Sequence, residues 1–109
     1  MDNFLIVHSL SEIIERSQKE PVVIFKYSSD CRSSPRLEDE LKQSIELKEI
    51  KMTIYKVVVQ EQPALSKKIS EHFSLKHQTP QILLLNKGKL TYTAHHNSIK
   101  VADIPDMIQ

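Results

Sequence analysis

The sequence predicts an α/β domain with a mixed central sheet and helices on both faces, and three observations lead there. Val22-Val23-Ile24-Phe25 is a continuous apolar run rich in β-branched residues, the signature of a strand covered on both faces. Leu37, Leu41 and Ile45, and later Leu65, Ile69 and Phe73, repeat every four residues, the spacing of helices with one buried stripe. Gln81–Leu85 and Leu90–Ala94 read as two strands around Asn86-Lys87-Gly88-Lys89, a glycine-containing hairpin loop.

The remaining elements follow in order. Ser9-Leu10-Ser11-Glu12 has the spacing of a capping box, with Leu10, Ile13 and Ile14 on one face of a first helix that ends before Pro21. After the Val22 strand comes a polar turn, Lys26–Cys31, and a helix expected from near Cys31 to Leu47. Pro35 fits only its first turn. Met52–Val59 reads as a strand, Pro63–Phe73 as a helix, and the hairpin strands as antiparallel neighbours. Ser98 is expected to cap a final helix holding Ile99, Val101, Ile104 and Met107 or Ile108, bent or interrupted by Pro105. This order matches the thioredoxin arrangement, among others.

The 109 residues suit one domain, 1–109, and 39% hydrophobic with 27% charged residues is ordinary for a soluble chain. A net charge of +1, without a basic cluster interleaved with aromatics, argues against nucleic acid as a partner. The charged stretch Lys42–Lys51 reads as a solvated helix face and loop. The first ten residues carry Asp2 and an apolar run of only four, Phe4–Val7, which fits neither a secretory signal nor a membrane span. A single cysteine permits no internal disulfide, in agreement with a reducing, cytoplasmic setting.

Cys31 stands where a strand ends and a helix begins, so the unpaired N–H groups and the positive end of the helix dipole favour its thiolate. Lys26, Arg32 and Arg36 add positive charge, and Asp30 opposes it. The bland reading is an inert small core residue; four preceding polar residues and Arg32 weigh against it. Ser34 occupies the position of a dithiol enzyme's second cysteine. It cannot resolve a mixed disulfide but can donate a hydrogen bond to the Cys31 sulfur, which leaves monothiol exchange open; otherwise Ser33 and Ser34 simply suit a helix start. A cis Thr79–Pro80 bond would present the Thr79 backbone to an extended substrate, and the plain alternative is a trans proline opening an edge strand. His8, His72, His77, His95 and His96 do not suggest a metal site. Adjacent histidines on a strand point to opposite faces, and no cysteine or carboxylate completes a ligand set.

Val23-Ile24-Phe25-Lys26-Tyr27-Ser28-Ser29-Asp30-Cys31 with Ser34, then His77-Gln78-Thr79-Pro80-Gln81, then Ala94-His95-His96-Asn97-Ser98-Ile99, together resemble the monothiol bacilliredoxins over nearly the whole chain. That family has the thioredoxin fold, a Cys-Pro-Ile-Ser active site, a cis-proline preceded by Ser or Thr and followed by Gln, and a histidine near the C-terminal hairpin. The resemblance implies that Cys31 takes bacillithiol, a low-molecular-weight thiol, from protein mixed disulfides, and that a second small thiol or a reductase regenerates it. The expected partners are therefore S-thiolated proteins and a small-thiol co-substrate, with no bound cofactor. By position, Ser34 corresponds to the family's serine, Thr79 and Pro80 to its cis-proline pair and His96 to its hairpin histidine. Arg32 and Ser33 stand in place of Pro-Ile, and Tyr27 in place of the usual histidine.

Two other readings compete. In one, a non-catalytic thioredoxin-like module binds peptide in the groove beside Thr79-Pro80, indifferent to Cys31→Ser. In the other, a glutaredoxin-like dimer bridges an iron–sulfur cluster with Cys31 and glutathione; the Gly-rich segment that follows the cis-proline strand in glutaredoxins is missing.

Overall fold

The computed structural model describes residues 4–107, apart from the side chains of Asn97, Asp106 and Met107. In chain order the elements are β1 (Phe4–Ile6), α1 (Leu10–Lys19), β2 (Val22–Tyr27), α2 (Ser33–Glu46), β3 (Thr53–Val58), α3 (Pro63–His72), β4 (Gln81–Asn86) and β5 (Lys89–His95), followed by 3₁₀ segments at His96–Ser98 and Val101–Met107. The five strands form one sheet in the order β1-β3-β2-β4-β5. β3 runs parallel to β1 and β2, and β4 runs antiparallel to β2 and β5. With α1 and α3 on one face and α2 on the other, this is the thioredoxin fold.

The sheet divides the core as a period of two requires. Val23 and Phe25 of β2 pack with Leu37 and Leu41 of α2 and with Val101 and Ile104. Val22 and Ile24 face Leu10 and Ile13 of α1 and Leu65 and Ile69 of α3. All four β2 side chains are fully buried, which accounts for an apolar run without alternation.

α1 begins as its spacing predicts: Ser9 is the N-cap, and its Oγ accepts the Glu12 N–H at 3.2 Å. Replacing Ser9 with Ala leaves that donor to water and is expected to cost about 1 kcal/mol, read as a lower urea midpoint with an unchanged slope. Ser17 joins α1 to the far end of the chain. Its Oγ donates to the Ile14 carbonyl at 2.6 Å and accepts the Gly88 N–H at 2.9 Å, and its carbonyl accepts the Lys87 N–H at 2.7 Å. Lys87 and Gly88 both take positive φ, 54° and 76°, the geometry of a two-residue type I′ hairpin turn.

One strand is added to the expected order, and one expectation changes. Phe4–Ile6 is a strand, although three residues carry no readable alternation; its identity comes from the register Phe4↔Ile54, Leu5↔Tyr55 and Ile6↔Lys56. α2 starts at Ser33, two residues after Cys31 and in agreement with a start near it, which puts Pro35 third in the helix, where its missing N–H would have no intrahelical partner. The expected final helix is a 3₁₀ segment, Val101–Met107, because Pro105 inside it can neither donate nor accommodate the preceding turn. Ser98 ends a short 3₁₀ turn rather than capping a helix. Ile108 lies outside the described residues. Among the described residues no helix is long and apolar enough to cross a membrane.

Candidate active site

Cys31 lies in the turn between the end of β2 and the start of α2. Its backbone N–H donates to the Ser28 carbonyl at 3.2 Å, and its own carbonyl accepts the Ser34 N–H at 3.2 Å. A side-chain lattice holds this turn. Ser34 is fully buried, and its Oγ accepts the Ser28 N–H at 3.1 Å. Ser28 Oγ accepts the Asp30 N–H at 3.2 Å and a Gln60 side-chain N–H at 2.7 Å, and Gln60 Oε1 accepts the Ser29 N–H at 3.0 Å. Gln60 follows β3, 29 positions beyond Cys31 in the chain. An isolated glutamine in a loop gives no sequence signal of such a role.

The Thr79–Pro80 peptide is cis. The Thr79 carbonyl lies 3.6 Å from the Cys31 sulfur, close enough to accept an S–H hydrogen bond from a half-buried thiol. Residues 48 positions apart thus meet at one point, because β2 and β4 are antiparallel neighbours, with Lys26 opposite Gln81. The Pro80 carbonyl accepts the His96 N–H at 3.1 Å, which ties the end of β5 to the same corner. Ser33, Arg36, Leu37, Glu40, Pro80, His96 and Ile99 line an open groove of about 160 Å³ there. Two predicted substrate-binding residues, Pro80 and His96, therefore share a recess with the first turn of α2. Arg36, singled out in the sequence only for its charge, lies on the rim beside Glu40.

The other candidates sit differently from expectation. Arg32 is exposed at the N-cap of α2 without capping it through its side chain. Ser34 Oγ has Ser28 as its described partner, rather than the Cys31 sulfur. Lys26 is fully buried on the α3 side of the sheet. Its Nζ donates to the Ser66 carbonyl at 2.9 Å and to Ser70 Oγ at 2.6 Å and lies 3.4 Å from His77 Nδ1. A lysine at the end of β2 points away from α2 because the strand alternates, and Phe25 and Tyr27 hold the α2 side. Burial pulls the Lys26 ammonium down to about 8, and burial together with that neighbouring charge holds His77 below the usual imidazole range.

Tyr27 stacks edge-on against Phe25, with ring centroids 5.9 Å apart, and lies under the Lys56 ammonium at 4.2 Å; Lys56 in turn pairs with Glu38 of α2. His95 and His96 do not alternate across a strand. His95 ends β5, His96 turns off it with φ 51°, and the two rings meet edge to face at 5.6 Å. Among the described residues no three His, Cys, Asp or Glu side chains gather where they could hold a metal ion.

Comparison with known proteins decides the family. Residues 5–104 match the family described as monothiol bacilliredoxin BrxC. The chain belongs to the monothiol bacilliredoxin family. Among solved structures, a chain described as having a thioredoxin fold superposes with a TM-score of 0.83 at 20% identity, over 97% of this chain and 94% of the other. Reduced thioredoxin from Schistosoma mansoni gives 0.73 at 14% identity over 98% and 96%. A mutant thioredoxin from Halobacterium salinarum gives 0.72 at 16% identity over 96% and 87%. These likenesses establish the fold, and bacilliredoxin membership on that fold supports a thiol–disulfide oxidoreductase role.

Proposed function

We propose that this bacilliredoxin is a cytoplasmic monothiol oxidoreductase that removes bacillithiol from protein mixed disulfides through Cys31. The observation that carries the reading is the half-buried Cys31 sulfur 3.6 Å from the Thr79 carbonyl, at the corner where Pro80 and His96 line a groove. The Cys31 thiolate attacks the bacillithiol sulfur; a bond forms between Cys31 and the small thiol, the protein–bacillithiol bond breaks, and the protein thiolate leaves with the electron pair. A second bacillithiol thiolate then attacks the new disulfide, which releases oxidised bacillithiol and restores Cys31. Ser34 holds the turn that carries Cys31, with Arg32 beside it at the start of α2, and Thr79, Pro80 and His96 receive the substrate. No metal or bound organic cofactor takes part.

The test uses one model protein carrying either bacillithiol or glutathione on a single cysteine, with excess small thiol and a readout of free protein thiol. The native chain is expected to speed release from the bacillithiol adduct at least tenfold over Cys31→Ser, and more than from the glutathione adduct. Equal rates for the native chain and Cys31→Ser would sink the reading and favour a peptide-binding module instead.

A further inference from the structure

Residues 73–80 link α3 to β4 and end on the Thr79 carbonyl that faces Cys31. Their first turn is tied down by backbone, through Leu75 N–H to the Ser70 carbonyl at 2.9 Å, and their end by the His96 N–H to the Pro80 carbonyl. Between these ties, among the described residues, no backbone–backbone hydrogen bond outside regular elements reaches residues 76–79. What holds that stretch is side chains from beneath: Lys26 Nζ at His77 Nδ1, 3.4 Å, and Gln81 Nε2 donating to the Lys76 carbonyl at 3.4 Å. Lys26 is in turn fixed on α3 by Ser66 and Ser70.

We infer that Lys26 and His77 are positioning residues for the Cys31 reaction: the buried ammonium donates to neutral His77 and so moors the 76–79 stretch to α3, which keeps the Thr79 carbonyl where a substrate backbone meets the thiol. The inference rests on the oxidoreductase reading and gives Lys26 an indirect role in it. An ammonium has three protons, and Ser66 O, Ser70 Oγ and His77 Nδ1 supply three acceptors. A protonated His77 has no lone pair for the third and adds a like charge beside the second cation. Lys67 and Glu71 of α3 share the His77 recess and are of opposite sign, Lys76 precedes His77 in the chain, and Lys26 of β2 is the cation whose ammonium faces the ring nitrogen and opposes its proton. Acidification through the His77 transition therefore releases the mooring.

The test sets two reactions of the reduced full chain against each other. Iodoacetamide needs only the thiolate. A peptide whose cysteine is disulfide-linked to thionitrobenzoate must also lie along the site; Cys31 attacks the peptide sulfur, forms the protein–peptide disulfide, and expels the coloured thionitrobenzoate thiolate with the electron pair. His77 is exposed, so its variants keep the core intact. His77→Ala is expected to slow the peptide reaction about tenfold, as small misplacements of reacting groups do, with alkylation unchanged within about twofold. His77→Asn, whose side-chain carbonyl can accept from Lys26 but does not titrate, should restore most of the peptide rate. Its ratio of peptide to iodoacetamide rate should stay flat where the native ratio falls with acid. Equal ratios for the native chain and His77→Ala at every pH overturn the inference while the oxidoreductase reading stands. A native Cys31 that meets the peptide disulfide no faster than free cysteine does overturns both.

Discussion

Phe25→Ala is expected to remove about 3–5 kcal/mol of folding free energy, enough to leave a large unfolded fraction in a domain whose total stability is typically about 5–15 kcal/mol. Phe25 is fully buried in the central strand, where it packs against Leu37 and Leu41 and meets Phe4 and Tyr27 edge to face at 6.2 and 5.9 Å. The cavity would open between the sheet and α2, which leaves both walls without partner atoms and cannot collapse without moving the turn that carries Cys31. Phe25→Leu keeps most of the volume and should lose well under half as much. Urea unfolding followed by circular dichroism gives both numbers, and a loss below about 1 kcal/mol for Phe25→Ala would mean that α2 is not seated on β2 as described.

The second large effect appears in alkali. Burial lowers the Lys26 ammonium from 10.5 to about 8. The folded value lies below the unfolded one, so between about pH 8 and 10.5 the unfolded chain holds a proton that the folded chain has lost, and stability rises with pH across that window. Below pH 8 the folded protein carries the full expense of a buried charge. From pH 7.5 to 9.5 the gain from this one group should be about 2 kcal/mol. Lys26→Met removes the titrating group at similar volume, so its stability difference between the two pH values should be smaller by that amount. Parallel behaviour of the two proteins would show that the ammonium is better solvated than its position implies.

His77 acts at the other end of the scale. Its folded value is also depressed, so the stability it contributes is complete above the ordinary imidazole range and falls as pH drops through its folded transition. That transition is the one on which the peptide reaction is expected to depend.

What could be read in the sequence was whatever short-range pattern encodes. The β2 run, the four-residue repeats of α2 and α3, the Ser9 cap and the Lys87-Gly88 turn are local signals, and each became the element it suggested. Cys31 at a strand–helix junction was legible for the same reason, and so was Thr79-Pro80 ahead of an apolar strand. The supporting groups were not. Gln60 beneath the Ser28 turn, Ser66 and Ser70 around Lys26, and His77 above it are brought together only by strand order, which no spacing rule contains. Lys26 is expected to add positive charge near Cys31 because it is near in the chain, whereas strand alternation sends its side chain to the α3 face of the sheet. β1 escaped because three residues are too few to show a period.

The position of β2 between β3 and β4 also sets how long each part of the site survives thermal opening. Its backbone groups are bonded on both edges and covered on both faces, so its amides should exchange with solvent only through global unfolding. Residues 76–79, held chiefly by side chains, should exchange through small local openings. The two halves of the site should thus keep different clocks: the turn that carries the sulfur springs directly from the slowest strand of the molecule, while the carbonyl facing it belongs to a stretch that opens more readily.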